Sequence, residues 1–357
     1  MDIDVEKYLD LGYLHLKNLL SQKLIYEIRN DYEDLVDSLI SIYSFRMSKS
    51  FHGAYLSDAS FKKRFATLLG MGGREIIDHL DPSMNVRSRY FKYNSDLPSA
   101  QFKSLFKLNL DRKLLSVIKQ LIGDEIIALM NHHFYFSLDS RLYKEIEIVR
   151  QALQSPYDLK TISWTKHVGS PSWYRYLESG YRDAISSNVI SAWVPLSESD
   201  TKNGGLKLLP NSHKLLPRIK PNREELRNIH NLSLEIGDVV VFHQKVFIAH
   251  NQPLQNTCPA WGIACRYLSN DRVLPNPELP SFTVHSLSNP QKVIENPMVW
   301  QKICDVALDN LDDKRFKINI NTPLENIAKW RNSYDKYHED PLNWLSLYKK
   351  KKRLGIF

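Results

Sequence analysis

The spacing of apolar residues changes along the chain. In the first third, Leu24, Ile25, Ile28, Tyr32, Leu35, Val36 and Leu39 recur at helical intervals, and Ser21 stands where it can cap the helix N-terminus. Just before them, residues 12–20 (GYLHLKNLL) alternate briefly, as a short half-buried strand does. A second helix is predicted over 111–121, closed by Gly123. The middle third reads differently. Residues 126–138 (IIALMNHHFYFSL), 161–167, 189–196 and 238–242 are short runs rich in β-branched and aromatic residues. Turn formers such as Asn203, Gly204, Gly205, Pro210 and Asn211 punctuate them. The charged stretch 141–154 interrupts the series and reads as an inserted helix. From about residue 275 the pattern becomes helical and polar again, with Trp300, Trp330 and Trp344 along it.

Short punctuated strands between helical ends predict a mainly β fold with flanking helices, built on a jelly-roll core (a double-stranded β-helix). A catalytic domain is expected over 1–275 with a helical N-terminal part. A helical extension over 276–357 is expected to pack on it, since no long Gly/Ser/Pro linker divides the two.

Composition narrows the class. With 43% hydrophobic and 25% charged residues, the chain is an ordinary globular one. No apolar run is long enough to span a membrane, and the acidic start MDIDVEKYLD lacks the apolar region of a secretory signal. The three cysteines, Cys258, Cys265 and Cys304, are odd in number and not in C-x-x-C spacing. They suggest reduced thiols in a cytoplasmic protein, and no zinc site. The net charge of +8 suits a small-molecule substrate carrying phosphate, CoA or an acidic carrier protein, without requiring one. A nucleic-acid polymer is not expected. The KKKKR run at 349–353 reads as a solvated tail that could also meet an acidic carrier.

A jelly roll gathers inward-facing residues of neighbouring strands around one cavity. A mononuclear iron site needs two imidazoles and a carboxylate there, with positions left open. The chain offers His167, then His250, then Arg266. Between them lie Trp-x-x-Leu (Trp193 to Leu196), Asn-Gly-Gly (Asn203 to Gly205) and Pro-Asn-Ser-His-Lys (Pro210 to Lys214). The segment IGDVVVF at 236–242 follows, and then His250, Asn256 and Arg266. In this order and spacing the motifs resemble those of the phytanoyl-CoA dioxygenase family. Residues 12–21 and 114–125 are also similar to family segments, so the resemblance covers roughly residues 8 to 270. Asn211 stands where the family carries glycine, a mild change because Asn tolerates the left-handed conformation.

The resemblance implies an Fe(II)- and 2-oxoglutarate-dependent enzyme that uses O2 to functionalise an unactivated C–H bond. His167 and His250 would bind iron as neutral imidazoles, with Arg266 clamping the distal carboxylate of 2-oxoglutarate. Asn256 and Trp193 would line the cosubstrate site. In one place the chain departs from the family. The family's first motif is His-x-Asp, and here it reads His167, Val168, Gly169. Losing that carboxylate opens a coordination position and removes a negative charge, and Gly leaves space for a halide. Iron/2-oxoglutarate halogenases share this feature. The resemblance to them implies chloride as co-substrate, held beside Gly169 with Ser170, and also Ser172, available to donate hydrogen bonds. Two alternatives stand beside halogenation. Glu178 or Asp183 could supply the carboxylate of a hydroxylase, or the site could bind no metal and leave a binding protein.

Other histidines compete for these roles. His79-Leu80-Asp81 and His338-Glu339-Asp340 repeat the motif literally but lie outside its context, and both read as solvated helix ends. One of His132 and His133 must face inward by strand alternation. His243 is the alternative to His250, and His213 reads as structural. Trp164 and Trp173 flank the His167 motif as core or as pocket wall. The segments 141–158 and 170–187 are expected to shape the pocket mouth.

Overall fold

The computed structural model describes residues 2–46, 59–73, 75–80, 102–154, 173–175, 189–215, 221–254, 259–269 and 281–300. Helix α1 (Val5–Leu11) is capped by the Asp4 carboxylate and stopped by Gly12, whose φ of +81° turns the chain into strand β1 (Tyr13–Leu16). Helix α2 (Gln22–Arg46) carries the predicted stripe, and Ser21 Oγ accepts from the Leu24 amide. Helices α3 (Phe61–Gly72), α4 (Glu75–Leu80) and α5 (Lys103–Asn109) follow. Helix α6 (Arg112–Ile122) matches expectation at both ends: Asp111 accepts from the Lys113 and Leu114 amides, and Gly123 closes it at φ +88°. The predicted inserted helix is α7 (Ser140–Leu153).

The long strand β2 (Ile126–Phe136) precedes α7. Downstream come β3 (Ile190–Pro195), β4 (Leu206–Leu209), β5 (His230–Asn231) and β6 (Val239–His243). They are followed by β7 (Phe247–His250), β8 (Trp261–Ser269) and β9 (Ser281–His285). An antiparallel six-stranded sheet runs β1-β6-β3-β8-β2-β9, and a three-stranded sheet runs β5-β4-β7. Tyr174 extends the smaller sheet, bridging Ile248 of β7 through both backbone hydrogen bonds.

Alternation sorts the large sheet's side chains into two sets. Phe134, Phe136, Ala192, Val194, Val241, Ile263 and Cys265 pack outward in one cluster with the helices. Tyr135, Trp193, Val240, Phe242 and Ala264 point the other way and meet Leu206, Leu208 and Ile248 of the small sheet. This two-sheet sandwich with helices over one outer face is the jelly roll. No helix among the described residues is long and apolar enough to cross a membrane.

Two expectations need correction. The first described residues after 275 are a strand and not a helix: β9 pairs with β2 and forms an edge of the large sheet, so the sheet extends past the expected boundary. His79 is buried on α4, not solvated. The expected strand at 161–167, the remainder of the extension beyond 300, Asp81, Trp164, Cys258, Cys304, His338 and the 349–353 run lie outside the described residues.

Candidate functional site

His250 ends β7 in direct register with Leu206, on the face turned toward the large sheet. Its ring lies against Tyr135, centroids 3.4 Å apart and planes 9° from parallel. Trp193 leans in from β3 with its centroid 5.1 Å from the imidazole. The Trp193 ring has room because β8 carries small residues beside it. Ala264 is its register partner, and a Cβ on Gly262 would lie 2.6 Å from Trp193 Cζ2. The His250 ring is buried, and among the described residues neither nitrogen makes a hydrogen bond of normal geometry. Burial pushes its pKa down to about 3, partly offset by the nearby Gly204 backbone and assisted by the Lys207 charge. The imidazole is therefore neutral at ordinary pH, the form that donates a lone pair to a metal.

The two motif turns explain how β7 is held at both ends. Gly204 adopts φ +98°, and a Cβ there would sit 2.4 Å from Ser137 Cβ. Ser137 Oγ and the Ala260 amide both donate to the Asn203 carbonyl, and the Asn251 amide donates to the Gly205 carbonyl. The Asn-Gly-Gly turn thus ties the residue after His250 to the end of β2. At the other end of β7, Ser212 Oγ donates to the Leu209 carbonyl and accepts from the Phe247 amide. Asn211 takes φ +63°, so the residue in the glycine's place does adopt the left-handed conformation expected of it.

Arg266 is fully enclosed on β8, in register with Ser191 and one inward position beyond Ala264. Its Nη2 donates to Gln244 Oε1 at 3.3 Å, and the Gln244 amide donates to the Val189 carbonyl. Ser191 is also buried, with its hydroxyl unpartnered among the described residues. The large sheet therefore presents a guanidinium and a hydroxyl on the same rung, next to the rung of Trp193.

His243 goes elsewhere. It alternates with inward Phe242, accepts from the Lys245 amide through Nδ1, and lies 5.7 Å from the His213 ring. Burial and the neighbouring His213 and Lys245 depress its pKa to about 4. His213 Nε2 contacts the Leu9 carbonyl, as a structural residue of the turn does. Trp173 stands beside β7 with the Lys207 ammonium 5.5 Å from its ring centroid. His133 is in register with Ala264, just past an irregularity in the β2–β8 pairing.

His250, Trp193 and Arg266 are thus described and lie on the two facing inner surfaces. His167, Gly169, Ser170, Ser172, Asn256, Glu178 and Asp183 lie outside the described residues. Sequence reasoning did not single out Tyr135, Gln244 or Ser191. Tyr135 sat inside an aromatic run that reads as core. Gln244 and Ser191 are polar residues inside apolar strand segments, a signal that was present and not used.

Among the described residues no cluster of three His, Cys, Asp or Glu is placed to hold a metal. The class defined by this fold is a jelly roll that buries an imidazole on one sheet and a guanidinium on the other. The phytanoyl-CoA dioxygenase family model matches residues 8–250, and the chain belongs to that family. No curated protein matches the chain. Among solved structures, a nickel complex of the non-heme monooxygenase ThoJ is 13% identical, covering 92% of this chain and 100% of its own, with a TM-score of 0.49. EctD from S. alaskensis is 15% identical, with coverage of 74% and 75% and a TM-score of 0.40. HygX from Streptomyces hygroscopicus with nickel and 2-oxoglutarate is 12% identical, with coverage of 76% and 88% and a TM-score of 0.40. The family assignment rests on the family match and not on these likenesses.

Proposed function

We propose that the protein is an Fe(II)/2-oxoglutarate-dependent enzyme of the oxygenase superfamily, and that it halogenates an unactivated carbon of a small-molecule substrate, free or linked to a carrier or phosphate. The observation that carries the metal reading is His250: a buried, neutral imidazole whose nitrogens lack well-formed hydrogen bonds among the described residues. Leaving such a group unsatisfied costs free energy, and a metal ion would satisfy it. Iron(II) bound with 2-oxoglutarate supplies, with O2, the oxidising power to remove a hydrogen atom from the substrate.

In this reading His167 and His250 hold the ion. Tyr174, a little after His167 in the sequence, is hydrogen-bonded to β7, the strand that ends in His250. Arg266, oriented by Gln244 and faced by Ser191, takes the distal carboxylate of 2-oxoglutarate. Trp193 closes one wall and Asn256 contributes a polar contact. The halogenation reading rests on Gly169 in place of the family's Asp. Gly169, having no side chain, would leave room for chloride, and the Ser170 hydroxyl would be available to donate to it.

The test is a product assay. The protein is loaded anaerobically with Fe(II), 2-oxoglutarate and chloride, mixed with candidate substrates and exposed to air. Succinate with a chlorinated product is expected. Succinate with only hydroxylated product removes halogenation and points to a carboxylate from Glu178 or Asp183. Absence of both metal binding and succinate removes the enzyme reading. Gly169→Asp should abolish chlorination by refilling the ligand position.

A further inference from the structure

Metal-binding histidines are usually oriented by a hydrogen bond from their second nitrogen to a carboxylate or carbonyl, which fixes the ring plane. Among the described residues, His250 has the Gly204 backbone nearby but no hydrogen bond of normal geometry at either nitrogen. It has a tyrosine ring parallel to it at 3.4 Å instead, and a tilted tryptophan at 5.1 Å. Tyr135 is itself buried on β2, the central partner of β8 and β9, and its own ring is braced by Trp193 at 6.1 Å. An imidazole in contact with one flat face cannot rotate about its Cβ–Cγ bond without colliding with that face. It can only slide within its plane.

We propose that Tyr135 is the positioning residue for the proposed metal ligand His250, its stacked ring fixing the imidazole plane as a well-formed hydrogen bond otherwise would. The inference rests on the metal reading of His250, and it assigns the task to the aromatic face of Tyr135 and not to its hydroxyl. Phe should therefore serve and an aliphatic side chain should not.

The experiment is calorimetric titration of the full-length apo protein with Ni(II), a redox-inert stand-in for Fe(II), alongside the apo melting temperature of each variant. Tyr135→Phe is expected to bind within about twofold of wild type. Tyr135→Leu is expected to lose about tenfold, the lower end of the range for removal of an orienting partner. His250→Ala separates the two readings. If wild type and His250→Ala bind Ni(II) equally, the metal reading itself fails. If His250→Ala loses binding while Tyr135→Leu keeps wild-type affinity, the metal reading stands and the positioning role is overturned. A tenfold loss in Tyr135→Phe would overturn the assignment to the ring face. Should Tyr135→Leu fail to fold, the proton resonances of the His250 ring in the wild-type apo protein decide. A stacked ring shifts them upfield, and ordinary positions would overturn the proposal.

Discussion

The two faces of the six-stranded sheet are built by the same strands and do opposite things. On the outer face, Phe134 packs against Tyr32, Phe65 and Trp261 with ring centroids 5.0, 6.0 and 6.2 Å away, and the helices seal the cluster. One residue along the same strand, Tyr135 faces inward onto His250, and further along the sheet Arg266 and Ser191 are buried as register partners. Burial is equally complete on both sides. The outer face buries carbon against carbon, which stabilises the fold. The inner face buries an imidazole, a guanidinium and a hydroxyl, which apolar side chains of similar size would replace at no loss of stability. Polar groups buried at such a cost are what the proposed metal and cosubstrate site would use.

The comparison is broken most directly from the outer face. Phe134→Ala should destabilise the apo protein by about 3–5 kcal/mol, measured by urea unfolding, because it removes a ring at the centre of the aromatic cluster. A cost under about 1 kcal/mol would mean that this face is not the stabilising one. From the inner face, Arg266→Gln should leave unfolding nearly unchanged and lower 2-oxoglutarate affinity by about 2–5 kcal/mol, the cost of removing one partner of a buried charge pair. Calorimetry in the presence of Ni(II) reads it. Equal 2-oxoglutarate affinity in the variant would remove Arg266 from the cosubstrate site.

Acid should act mainly through the inner face. Burial depresses the folded-state pKa of His250 from 6.5 to about 3, so the unfolded chain takes up a proton first as pH falls. Stability from this group is complete above pH 6.5 and is lost as pH drops below that value, until the folded protein titrates near pH 3. The slope is about 1.4 kcal/mol per pH unit, or about 2 kcal/mol between pH 6.5 and 5. His243, depressed to about 4, adds in the same direction. Metal-free His250→Gln should show a flatter profile over this window, and identical slopes would place the acid sensitivity elsewhere.

Much of this arrangement was legible in the sequence, for reasons that differ by element. Helix α6 was visible at both ends because Asp111 and Gly123 are the residue types that end helices, and they act locally. The motif turns were legible for the same reason: Gly204 and Asn211 meet backbone requirements set within a few residues. Strands β4 and β7 were not singled out, being only four residues long. Strand β8 was missed because both of its faces are buried, which erases alternation. Strand β9 was hidden by its setting in a polar segment, and only its pairing with β2 makes it a strand. At the candidate site, His250 and Arg266 were singled out through motif order. Tyr135 was not, because stacking between residues far apart in the chain leaves no local pattern.

The smallest expected effect tests how the inner face is held. Asn211 occupies φ +63°, a conformation that costs a β-carbon-bearing residue about 1–2 kcal/mol unless its side chain compensates. Asn211→Ala should therefore cost about 1 kcal/mol, while Asn211→Gly should be neutral or slightly stabilising. The turn is not an isolated ornament. Asn211 donates its amide to the Leu11 carbonyl, and Ser212 beside it accepts from Phe247, the first residue of β7. A turn relaxed by alanine loosens the strand that carries His250 while leaving the outer cluster untouched. Hydrogen exchange should accordingly quicken at Phe247 and Ile248 and stay unchanged in β2 at Phe134 and Phe136. Uniform quickening across both sheets would show instead that the two faces unfold as one unit and that the turn has no separate role in holding the site.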